Sequence, residues 1–172
     1  MRKILLALLL CVLLANTAWG VLEVRCSTDA RMDTMICNVF GTNDGRVGFG
    51  FTVRGANGMI VAYGPELVLD RHHEHVIRVD QHRALRSHEV EERMAIFYDG
   101  LNGTDDWNRI ARVFSQGEQA RLRLYLWPQG QHEGTVSLAG FTQAYGTFRK
   151  RVRAFIGDNL DTPESYPLRV LL

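Results

Sequence analysis

Only three cysteines and four prolines occur in 172 residues, and neither sign of charge dominates. Each shortage removes a class of protein. A formal net charge of +1 denies the chain the basic surface of a nucleic-acid binder, and it offers no general attraction to anionic lipid. The apolar run Ile4–Leu14 has no longer counterpart, and nothing approaches the roughly 20 apolar residues of a membrane-spanning helix. No Gly-x-Ser-x-Gly elbow is present, and Ser27, Ser87, Ser115, Ser137 and Ser165 stand in no triad context. The glycines at 41, 45, 48 and 50 lack the lysine and the strand-to-helix setting of a phosphate loop, so they read as turn and strand glycines. There is no internal repeat and no low-complexity tract.

What is present begins with residues 1–20, which read as a secretory signal peptide. Arg2 and Lys3 form a basic start, Ile4–Leu14 the apolar core, and Ala18-Trp19-Gly20 a small-residue cleavage site. Cys11 sits within that core behind three leucines, which does not fit a lipid anchor. The mature chain is expected to start near Val21, in the periplasm or outside the cell. Removing residues 1–20 leaves 18 basic against 19 acidic residues. Two cysteines remain, Cys26 and Cys37, and an even pair in an oxidising compartment reads as one structural disulfide. Their spacing is neither the CxxC of an oxidoreductase nor a zinc knuckle.

Most of the chain reads as β. Leu22–Cys26 alternates apolar and polar, Thr34–Phe40 follows, and the Asp44-Gly45 turn leads to Val47, Phe49, Phe51 and Val53 at period two. Further strands are expected at Met59–Tyr63, Glu74–Val79, Arg93–Tyr98, Gln119–Trp127 and Gly134–Leu138. Two amphipathic helices interrupt them. The first has Thr104 as N-cap, Asp105 and Asp106 in the first turn, and Gly117 past its end. The second runs from about Ala139 to Ile156 on an apolar stripe of Phe141, Tyr145, Phe148, Val152 and Phe155. The pattern predicts a mainly β, single-domain β-sandwich or small barrel-like fold over 21–157 with two covering helices, followed by an extension at 158–172. An outer-membrane barrel is the competing all-β reading; the helices and the charge-dense segment 70–93 count against it.

The order of features resembles the invasion-associated locus B family of secreted bacterial proteins. Val24-Arg25-Cys26 follows the signal segment at once, with Cys37 as the second cysteine. Tyr63-Gly64-Pro65 leads to the strand Ile77-Arg78-Val79-Asp80, and Val113–Gly117 precedes Ala120-Arg121-Leu122. The stretch Val136-Ser137-Leu138-Ala139-Gly140-Phe141-Thr142-Gln143-Ala144 is the most specific of the four. The resemblance covers roughly 21–150. Two departures stand out: no second cysteine pair lies near Ser87-His88, and the chain continues further past Phe148. The resemblance implies a β-sandwich-like envelope protein linked with host-cell invasion, with no established enzymatic activity and no catalytic residues. Its partner would be an envelope or host protein.

Two clusters could carry specific contacts. Arg71-His72-His73-Glu74-His75 places His73 and His75 on one strand face, and His82 or His88 lies a turn away. His73, His75 and His82 would suit Zn²⁺ or Cu²⁺, which makes a periplasmic metal-binding protein the alternative function. The plainer reading is an exposed loop or edge strand with polar side chains. Arg149, Lys150, Arg151 and Arg153 crowd the second helix as a possible partner-binding surface, or simply as its wet face. Asp105-Asp106 is explained by helix-terminus electrostatics, and Asn102-Gly103-Thr104, though a glycosylation sequon, by the start of the helix.

Overall fold

The computed structural model describes residues 21–29, 34–43, 47–54, 57–64, 68–91, 93–98 and 104–157. The signal-like segment, the Asp44-Gly45 turn, Asn102-Gly103 and the extension 158–172 lie outside them, as do the side chains of Thr104, Asp105 and Asp106.

Period-two alternation becomes a large antiparallel sheet. Its strands are β1 (Val21–Asp29), β2 (Thr34–Asn43), β3 (Val47–Arg54), β4 (Asn57–Tyr63), β8 (Val90–Glu91) and β9 (Met94–Tyr98), in the order β1-β2-β3-β4-β9-β8. A second sheet holds β6 (His75–Val79), β7 (Leu85–Ser87), β10 (Gln119–Trp127) and β11 (Gly130–Ser137) in the order β11-β10-β6-β7. The two-residue β5 (Val68–Leu69) pairs with the far end of β10. Helices α1 (Thr104–Gln116) and α2 (Phe141–Gly157) complete a mainly β, sandwich-like fold with covering helices.

On β3, Val47, Phe49, Phe51 and Val53 are all 2% exposed or less and face inward. Phe49 and Phe51 meet an aromatic cluster supplied by the helices: Trp107 and Phe114 from α1, Phe141 and Tyr145 from α2. The helices therefore fill the sandwich as well as cover it. Ser87 on β7 donates to the Ile96 carbonyl on β9, so the two sheets are tied where β7 and β9 meet.

Asp80 fixes where α1 returns to the sheet. It sits at the end of β6 with φ 42°, a left-handed conformation that Asp tolerates better than most residues. Its carboxylate accepts the Glu118 and Gln119 N–H groups at 2.9 and 3.0 Å, joining β6 to the start of β10. Gly117 does end α1, its N–H donating to the Val113 carbonyl at 3.0 Å.

Cys26 and Cys37 occupy directly paired positions on β1 and β2, with Cα atoms 4.0 Å apart, and form a disulfide. No helix among the described residues is long and apolar enough to cross a membrane.

Candidate functional site

The two helices leave a cleft of about 800 Å³ between their outward faces. On α1, Trp107, Ile110, Ala111 and Phe114 are buried, which leaves Arg109 and Arg112 exposed one turn apart. On α2, Phe141, Tyr145, Phe148 and Val152 are buried, and Thr142, Gly146 and Arg149 form the cleft's other side. Three arginines from two helices thus converge, and no carboxylate is among the described residues that line the space.

Two bonds hold the walls in register. The Trp107 indole N–H donates to the Tyr145 hydroxyl at 2.6 Å, deep between the helices. Thr142 Oγ1 donates to the Ser115 carbonyl at 3.2 Å nearer the surface. Burial pushes the Tyr145 hydroxyl up from its ordinary value, against smaller opposing effects of the Trp107 bond and the nearby Arg149 charge. Tyr145 is therefore neutral at physiological pH and serves as an acceptor for Trp107. Arg149 carries a buried Nε–H without a hydrogen-bond partner, a group that costs free energy until something accepts from it.

Gly146 is the odd residue here. A helix-interior glycine costs about 1 kcal/mol relative to alanine, yet a Cβ at this position would meet nothing within 4 Å. Packing does not require it; the absent side chain widens the cleft. Gly146→Ala is expected to raise the unfolding free energy by about 1 kcal/mol, measured by urea denaturation. A loss of stability would contradict the open cleft.

The basic run read from the sequence disperses. Arg149 lines the cleft and Lys150 points to solvent. Arg151 donates to the Val24 carbonyl at 3.3 Å, on the edge strand β1. Arg153 is exposed and already engaged by a neighbour. Arg109 and Arg112, exposed on α1, are not among the candidates singled out from the sequence. Their i,i+3 spacing, like that of Gly146 and Arg149 on α2, was the available signal.

His73 and His75 meet the same two neighbours, Tyr125 and Asp70. His73 lies in the turn before β6, where its ring stacks on Tyr125 at 4.4 Å and its Nδ1 meets the Asp70 carboxylate at 3.0 Å. His75 is fully buried in β6, an interior strand. Its Nδ1 accepts the Tyr125 N–H at 3.3 Å, and its Nε2–H donates to the Asp70 carbonyl at 3.1 Å. Both ring nitrogens are taken, and the two partners together define the neutral tautomer. His82 is exposed in the turn after β6. Among the described residues, no group of three or more His, Cys, Asp or Glu side chains is placed to hold a metal ion. The expected exposed loop or edge fits Arg71, His72 and His73, but His75 belongs to the core because backbone partners satisfy its ring.

This bonding sets a pH dependence. Burial is the main cause holding the His75 pKa below its ordinary 6.5, opposed by the Asp70 carbonyl bond and the Asp70 charge; His88 and His73 reinforce the lowering. Asp70 is also lowered, chiefly by the His72 N–H against an opposing desolvation effect, with smaller help from the His73 bond and the His73 and His72 charges. A depressed folded-state pKa means that the unfolded chain binds the proton more readily. The His75 contribution is complete above about pH 6.5 and is lost as pH falls below it. Thermal melts between pH 8 and 5 are expected to show falling stability, and His75→Gln to flatten that slope. An unchanged slope would exclude His75 as the titrating group.

The chain matches no protein-family model, no curated protein and no solved structure.

Proposed function

We propose that the protein is exported and acts outside the cytoplasm as a non-enzymatic contact protein, similar to invasion-associated locus B proteins. In this reading an acidic segment of an envelope or host protein docks in the arginine cleft between α1 and α2. The observation that carries it is the cleft itself: Arg112 and Arg149 around Gly146, with a buried Arg149 N–H that has no hydrogen-bond partner and no carboxylate among the described residues that line the space. Arginine suits this role because its planar fork binds carboxylates through paired hydrogen bonds. The signal-like residues 1–20 and the Cys26–Cys37 disulfide support an oxidising destination.

The test is a cross-linking pull-down from native envelope with the tagged protein and with an Arg112→Glu, Arg149→Gln variant. The wild type is expected to recover one stoichiometric protein that the equally folded variant loses. Recovery of the same protein by both would remove the cleft from the contact.

A further inference from the structure

We propose a second site on the opposite side of the molecule: an acyl-chain trough along the outer face of β3 that takes a free medium-chain fatty acid.

The outer face of a sandwich sheet is ordinarily polar where it meets water. Here the cross-strand register builds something else. Arg25, Asn38, Thr52 and Met59 stand in one row across β1 to β4, and Glu23, Phe40, Gly50 and Val61 in the next. The outward residues of β3 are Gly48, Gly50, Thr52 and Arg54, the reverse of its inward Val47, Phe49, Phe51 and Val53. Small side chains along β3 thus lie between Ile36 and Phe40 on β2 and Met59, Val61 and Tyr63 on β4. The result is a mostly apolar furrow of about 400 Å³, one strand wide.

The two glycines have different reasons. A Cβ on Gly48 would lie 2.5 Å from the Gly41 carbonyl oxygen and 2.8 Å from the Tyr63 ring, so Tyr63 already fills that end. A Cβ on Gly50 would find its nearest atom, on Val61, at 3.5 Å, an ordinary contact. The fold does not demand glycine at 50, and a strand glycine with no packing reason marks a place where something else approaches the backbone. The Tyr63 hydroxyl is buried without a hydrogen-bond partner, and burial pushes its pKa up to about 12. Tyr63 is therefore neutral, and the Arg25 and Glu23 charges that reach it oppose each other.

The open end carries a cation. Arg54 is exposed and makes no ion pair among the described residues. Arg25 is committed: it pairs with Glu23 at 2.7 Å and lies over the Phe40 ring at 5.0 Å. An apolar furrow closed at one end and cationic at the other matches a chain with one anionic head.

Calorimetric titration of the purified protein with dodecanoate tests this. Saturable one-to-one binding is expected, about tenfold weaker for decanoate because two methylenes are lost. Gly50→Leu fills the furrow floor and is expected to weaken dodecanoate at least tenfold without lowering the melting temperature. Arg54→Gln is expected to weaken dodecanoate about tenfold and leave dodecanol unchanged. Absence of saturable binding, equal binding by Gly50→Leu, or association only with phosphatidylglycerol vesicles would overturn the proposal.

Discussion

Phe51→Ala is expected to lower the unfolding free energy by about 4 kcal/mol. Phe51 is fully buried at the centre of the aromatic cluster. Its ring centroid lies 5.0 Å from Phe114, 5.3 Å from both Trp107 and Phe141, and 5.7 Å from Tyr145. Removing it costs the transfer of the ring from water and leaves a cavity bounded by β3 and both helices. The Trp107–Tyr145 bond restrains those helices from collapsing into the space. Native proteins of this size are stable by about 5–15 kcal/mol, so the loss is a large part of the total. Phe40→Ala, one strand away but on the outer face, is expected to cost only about 1 kcal/mol. Urea denaturation of both variants checks the contrast. Equal losses would contradict the assignment of inner and outer faces.

Loss of the Cys26–Cys37 disulfide is expected to cost about 3 kcal/mol, whether by reduction or by replacing both cysteines with alanine. The bond joins residues 11 apart and closes the β1–β2 hairpin. β1 is an edge strand, so only β2 continues its ladder, and α2 reaches it from one side through Arg151. Cutting the cross-link frees the unfolded chain while leaving the edge strand with few tertiary restraints. Denaturation with and without reductant measures the difference. A change below about 1 kcal/mol would mean that the unfolded hairpin stays closed by other means.

Much of this architecture was legible because period two and period 3.6 survive in the chain. Val47, Phe49, Phe51 and Val53 announce the inner face of β3, and Phe141, Tyr145, Phe148 and Val152 the buried stripe of α2. The strand β11 was expected to start at Gly134 but begins at Gly130. It is an edge strand whose Gln131 and Glu133 face water, so the polar run carried no apolar alternation to read. β5, β7 and β8 are two or three residues long and too short to show a period. His75 looked exposed within a polar run because the Tyr125 N–H that accommodates it comes from 50 residues away. The candidate sites were hidden for the same reason. The cleft needs α1 beside α2, and the furrow needs the registers of β2, β3 and β4, which no local pattern encodes.

The most direct test of the contact account is site-specific photocross-linking in native envelope. A photoreactive side chain at Gly146, in the floor of the cleft, is compared with one at His82, exposed in the turn after β6. The account predicts that position 146 captures one protein through a segment rich in Asp and Glu, and that position 82 captures none. Capture from position 82 alone, or through a segment without acidic residues, would contradict it.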